Sequence, residues 1–83
     1  MSKYLENEVE FLSHIEEVLE LTSGILTKNI NSELEGIEEW DSLAIMSFVS
    51  LLDEIYQIEI DADILEKCKS PLDLYKLTKD LIK

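Results

Sequence analysis

The chain has no arginine, one histidine, one cysteine, one proline and two glycines among its 83 residues. Each scarcity removes a class of possibilities. A lone cysteine, Cys68, excludes an internal disulfide and fits a reducing compartment. A lone histidine, His14, leaves no His pair, and one cysteine adds too little to complete a zinc donor set. So little glycine and proline argues against β-meanders and long disordered linkers. No run approaches the ~18 consecutive apolar residues of a membrane span. Met1-Ser2-Lys3-Tyr4-Leu5-Glu6 lacks an apolar signal core, so a cytoplasmic protein is expected.

Positive charge is also scarce. Seven lysines face nineteen aspartates and glutamates, for a net charge of −12. Phosphates would be repelled, so nucleic acid and anionic membrane surfaces are poor partners. A basic protein surface is the natural partner, and the field would speed that encounter. The plainer alternative is that the acids only maintain solubility.

What the chain does have is apolar residues, 46% of the total, patterned for helices. Its length suits one domain, residues 1–83, with one modest core. Leu5, Val9, Leu12, Ile15, Val18 and Leu19 recur at three- and four-residue steps, predicting an amphipathic helix over residues 5–21. His14 falls on its polar side and reads as a surface residue. Gly24 is the expected helix C-cap. Residues 25–40 show no clean period, yet Ile25, Leu26, Ile30, Leu34, Ile37 and Trp40 punctuate them. That predicts a long loop packed down on the domain, with a short helical turn at residues 25–29. Loops of this length are uncommon in small domains and are often functional.

Glu33, Glu35, Glu38, Glu39 and Asp41 crowd into nine residues without a lysine. They form either a solvated loop or an acidic approach surface beside Ser42. A second helix is expected over residues 42–56. Ile45, Phe48, Val49, Leu51, Leu52, Ile55 and Tyr56 share its apolar arc, with Ser47, Ser50 and Glu54 opposite. Leu43 falls in the middle of that polar stripe, and Met46 on its flank near Asp53. Apolar residues in such places suggest partner contact, unless Leu43 folds back on the loop.

Residues 57–60 alternate like a strand without a partner strand and read as an extended connector that buries Ile58 and Ile60. Asp61 can cap a short third helix through Cys68, with Ile64, Leu65 and Cys68 inward. Ser70-Pro71-Leu72-Asp73 starts the last helix, with Ser70 as cap and Pro71 in the first helical position. Leu74, Tyr75, Leu77, Thr78, Leu81 and Ile82 then face inward, and Lys76, Lys79 and Asp80 outward. Lys79 and Lys83 suit the negative end of the helix dipole.

No enzyme constellation emerges. There is no phosphate-binding glycine loop, no metal set and no serine in a nucleophile elbow. Asp61-Ala62-Asp63 begins like a calcium loop but lacks its glycine and turns apolar at once. Cys68 reads as a small core residue and not a nucleophile, with no second His and no Arg to activate it. Catalytic residues are therefore not expected. Ser42 remains. In the first turn of a helix, with Asp41 available as cap, its hydroxyl points outward. A phosphate ester there would meet unpaired N–H groups and the positive dipole end. On these three residues alone, simple capping by Asp41 or Ser42 is the preferred reading.

The whole chain resembles the acyl carrier protein family. The likeness rests on Asp41-Ser42-Leu43 after a long loop, the length, the acidic balance, the short third helix, and Ile58-Glu59-Ile60 followed by Ser70-Pro71-Leu72-Asp73-Leu74. It implies an all-α fold, a small four-helix bundle of acyl-carrier type with three longer helices, a short third helix and a long first loop. It also implies that Ser42 carries 4′-phosphopantetheine, attached from coenzyme A by a phosphopantetheinyl transferase with magnesium in its own site. Asp41 would orient that reaction. The phosphoprotein would hold acyl groups as thioesters for fatty-acid, polyketide or specialised biosynthesis, as a monomer without catalysis of its own. Acyl- or aminoacyl-activating and acyl-transferring enzymes would dock through basic surfaces. Leu43, Met46, Ser50 and Glu54 match the family's partner-contact positions, with Asp53, Glu38 and Glu39 as acidic neighbours.

Fatty-acid members usually have glycine two residues before the aspartate, where this chain has Glu39. Ala44 and Ser47 are neutral where those members carry acid. Trp40-Asp41-Ser42 also resembles stand-alone aminoacyl carriers, including D-alanyl carriers. The alternative of another class is a non-covalent acidic helical adaptor in which Ser42 only caps a helix.

Overall fold

In the computed structural model, which describes residues 6–82, Asn7 starts the first helix, α1 (Glu8–Val18), by accepting the Glu10 N–H at 2.7 Å. Leu5 and Lys83, expected in the first helix and at the end of the last, lie outside the described residues. Phe11, Leu12 and Ile15 are fully buried. Val9 and Val18, expected on the same stripe, are 51% and 44% exposed. Val9 lies roughly 120° around the helix from Ile15, beyond the covered face. Val18 borders an open groove against Ser47, Ser50 and Glu54.

The helix is shorter than residues 5–21, and Gly24 does not cap it. Glu20 takes the left-handed conformation, φ 57°. Its N–H donates to the Glu17 carbonyl at 3.3 Å, and the Leu21 N–H donates to the Glu16 carbonyl at 2.8 Å. That pair of bonds is the Schellman closure, made here without glycine.

The loop to the next helix is packed down as expected. It contains 3-10 turns at Thr27–Asn29 and Leu34–Gly36. Leu26, Leu34, Ile37 and Trp40 are buried in the common core. Two backbone bonds tie the loop to the far end of the chain. The Leu34 N–H donates to the Lys69 carbonyl at 2.7 Å, and the Leu72 N–H to the Ile30 carbonyl at 3.1 Å.

Helix α2 (Ser42–Leu51) begins under an Asp41 cap and widens into a π-helical turn over Leu52–Tyr56. The predicted helix over residues 42–56 is thus continuous but not uniformly α. Gln57, φ 57°, ends it, and the Ile58 N–H reaches back to the Leu52 carbonyl at 3.2 Å. Gln57, expected in an extended connector, is instead left-handed, and residues 58–60 form neither helix nor strand, with Ile58 buried and Ile60 half-buried. Helix α3 (Ala62–Glu66) is shorter than expected. Asp61 stands at its N-cap without a side-chain bond, and Ile64 is 38% exposed, which leaves Leu65 as the buried anchor. Ile64 lies about 100° around the helix from Leu65, so the side that buries Leu65 leaves Ile64 at its edge.

Helix α4 (Pro71–Leu81) opens with a complete capping box. The Asp73 N–H donates to Ser70 Oγ at 3.4 Å, and Asp73 Oδ2 accepts the Ser70 N–H at 3.3 Å. Leu74, Tyr75 and Thr78 face inward, and the Thr78 hydroxyl is satisfied by the Leu74 carbonyl at 2.9 Å. Leu81, expected inward, is 37% exposed at the fraying end. Lys76, Lys79 and Asp80 are exposed as expected, with the Lys79 ammonium 5.5 Å from the Tyr75 ring centre.

Helix α1 packs on α4, and α2 packs on α3. Phe11 sits at the centre, 6.1 Å edge-on to Phe48 and 5.8 Å from Tyr75 between ring centres. The described residues form a small all-α fold of four helices without strands, 30 × 25 × 20 Å across.

Candidate functional site

Ser42 is the first residue of α2 and is exposed. Asp41 makes the cap: its Oδ1 accepts the Ala44 N–H at 3.0 Å, and its carbonyl accepts the Ile45 N–H at 3.0 Å. Capping is therefore the work of Asp41, and the Ser42 hydroxyl stands beside the cap. The Ser42 and Leu43 amides occupy first-turn positions that have no carbonyl inside the helix to bond. With the dipole, they favour an anionic ester on this hydroxyl. The exposed side chain, the neighbouring cap and these amides fit a phosphodiester-linked arm on Ser42.

Leu43 is 78% exposed and Met46 57% exposed, so Leu43 does not fold back onto the loop. The buried side of α2 explains why. Ala44, Phe48, Leu51 and Leu52 are committed to the core and turn Leu43, Met46, Ser47 and Ser50 to solvent. Asp53 and Glu54, on the π-helical turn, are exposed as well. The structure thus gathers Ser42, Leu43, Met46, Ser50, Asp53 and Glu54 along one exposed side of one element.

The acidic loop residues divide. Glu33, Glu35 and Glu38 are exposed. Glu39, expected to meet partners, is half-buried, and its Oε1 accepts the Thr22 N–H at 2.8 Å. Hydrogen bonding from Thr22, through its side chain and its backbone amide, holds the Glu39 carboxyl below its ordinary value. Trp40 is buried, with its ring centre 5.8 Å from that of Phe48 in an edge-on contact. Such a pair contributes about 0.5–1.5 kcal/mol beyond its area burial. Trp40 therefore anchors the loop two residues before Ser42. An open groove of about 820 Å³ lies beside it, with Trp40, Ile45 and Leu65 among its apolar lining and Glu33, Glu66 and Lys69 among its polar lining.

Glu16 was not expected in any role. It is 4% exposed, and its carboxylate collects four donors from the loop. Oε1 accepts the Gly24 N–H at 2.9 Å. Oε2 accepts the Leu26 N–H at 2.7 Å, the Thr27 N–H at 2.8 Å and the Thr27 hydroxyl at 3.3 Å. Gly24 serves this site rather than the helix end, since its φ of +91° is one that side chains rarely adopt. A signal did exist, because Glu16 lies four residues after Leu12 and three before Leu19, inside the apolar arc.

Neither Cys68 nor His14 joins a reactive cluster. Cys68 is half-buried, and burial, with the Asp73 charge, pushes its thiol up to about 11, so it is a poor nucleophile. His14 is half-buried rather than a plain surface residue, and burial lowers its pKa against the opposing pull of Glu17. Among the described residues no group of three or more His, Cys, Asp or Glu could hold a metal, and no helix is long and apolar enough to cross a membrane.

Comparison of the chain with protein-family models, curated proteins and solved structures finds no match in any of the three.

Proposed function

We propose that the protein is an acyl carrier protein with a bundle of acyl-carrier type, in which Ser42 bears 4′-phosphopantetheine. One observation carries the reading. An exposed serine hydroxyl stands at the first position of α2, beside a cap that Asp41 alone supplies, with exposed Leu43 and Met46 next to it. When bound, the arm supplies a thiol that holds the cargo as an electrophilic thioester. The chain's own residues do the rest. Asp41 fixes the helix start, so the Ser42 oxygen is held out for phosphodiester formation. Leu43 and Met46 offer an apolar contact that water would otherwise cover, and the surrounding acids favour a basic transferase or acyl-handling partner. The carrier has no catalytic role of its own.

The test is intact mass after incubation with coenzyme A and a broad-specificity phosphopantetheinyl transferase. A single adduct is expected, absent from Ser42→Ala. An unchanged wild-type mass, with the same transferase active on a control carrier, refutes the reading in favour of the acidic adaptor. An aminoacyl, D-alanyl-type cargo is distinguished by which activating enzyme loads the modified chain.

A further inference from the structure

We propose that Glu39, supported by Glu16, is a positioning residue for the modification of Ser42: two carboxylates tie the loop before Ser42 to the end of α1. The inference rests on the carrier reading and specifies how the serine is presented.

Ser42 follows a long segment with only short 3-10 turns of its own. Each residue held in one conformation costs about 1–2 kcal/mol of backbone entropy, so such a segment needs specific ties. The two carboxylates supply them at adjoining places. Glu16 reaches out from the buried face of α1 and collects the amides of Gly24, Leu26 and Thr27. Glu39 reaches back from a position three residues before Ser42 and takes the amide of Thr22. Residues 22–27 are thereby held from both sides. The path runs without a gap from α1 through Glu16 to this segment, then through Thr22 and Glu39 to Trp40, Asp41 and Ser42. Trp40, seated on Phe48, holds its last part against α2. The Asp41 cap is local to α2 and does not depend on either tie. Losing a tie therefore leaves α2 formed and the hydroxyl intact, while the loop surface that a transferase must meet samples other positions. Only a fraction of chains is then competent to bind, and apparent affinity falls by that fraction.

The position of Glu39 in the acidic stretch suggests a different role, direct attraction of a basic partner. Conservative substitution separates the two. Glu39→Gln keeps an acceptor for the Thr22 N–H and loses the charge. Glu39→Ala loses both. Glu16→Gln turns one of two acceptor oxygens into a donor facing donors.

The experiment measures steady-state modification of the full chain by a broad-specificity transferase with coenzyme A. Hydrogen exchange at Thr22, Gly24, Leu26 and Thr27 is followed in parallel, with circular dichroism to confirm folding. For Glu39→Ala the KM for the carrier should rise about tenfold at unchanged kcat, with faster exchange at Thr22. Glu39→Gln should restore the wild-type KM, and Glu16→Gln should raise KM with faster exchange at Gly24, Leu26 and Thr27. The Glu39 pair decides even where Glu16→Gln fails to fold. Equal impairment in Glu39→Ala and Glu39→Gln would assign the effect to charge and overturn the proposal. So would wild-type kinetics in Glu39→Ala. A wild-type chain that gains no mass overturns the carrier reading itself, and that outcome is distinct because it needs no variant.

Discussion

Leu43 is the residue whose environment says most about use. It is 78% exposed on a helix whose other large apolar residues are mostly buried or half-buried. Exposed leucine costs little as an isolated feature, but this one adjoins Ser42 and has Met46 beside it. Leu43→Glu is expected to leave helix content unchanged, because no core contact is lost. It is expected to lower kcat/KM for modification by about tenfold, which corresponds to ~1.4 kcal/mol of lost binding. Circular dichroism and transferase kinetics on the same sample check both. Lost helicity would instead make Leu43 a folding residue. His14, Glu16 and Glu39 show the same dependence on surroundings from the polar side. A charged residue's type indicates exposure only until a neighbouring segment covers it with donors or apolar surface.

At the scale of elements, helix starts obey sequence rules more closely than helix ends. Asn7, Asp41 and Ser70 each accept an N–H three residues on, as short polar caps do. The end of α1 departs from the rule, since Glu20 takes a backbone conformation that glycine adopts more cheaply. Asp41 also allows stability and chemistry to be separated. Asp41→Ala removes the bond to Ala44 and should cost about 1 kcal/mol, lowering Tm by roughly 4–8 °C in a domain of this size. Asp41→Asn keeps a capping acceptor, so its Tm should stay within a degree or two of wild type by the near equality of Asn and Asp caps. If the Asp41 charge also orients the transfer to Ser42, Asp41→Asn will still lose modification rate. Thermal unfolding and single-turnover mass analysis on the two variants settle the division.

For the molecule as a whole, charge acts in two directions. A net charge of −12 on 83 residues repels itself in the folded state and would attract a basic protein surface. Salt should therefore raise Tm and weaken partner association in the same concentration range. The screening length falls from ~10 Å at 0.1 M to ~3 Å at 1 M, which spans the spacing of surface charges. Differential scanning fluorimetry and transferase KM against sodium chloride measure the two effects. A KM that does not change with salt would rule out charge steering. The core is the counterweight to the repulsion. Phe11, Phe48 and Trp40 bring α1, α2 and the loop to one centre, so the loop is part of the fold and not an appendage.

The sequence by itself determined the helical class, the starts of α2, α3 and α4 and the outward face of α2. Those depend on residues three or four apart, which the 3.6-residue period brings together wherever the chain folds. It marked Ser42 for the same reason, since a cap and the residue after it are neighbours in the chain. Only the tertiary structure decided the fate of Glu16, Glu39, Val9, Val18 and Trp40. Their partners lie on separate segments, such as Gly24 with Thr27 for Glu16 and Thr22 for Glu39. No local period carries such a pairing, because it forms only after the loop has closed over the end of α1.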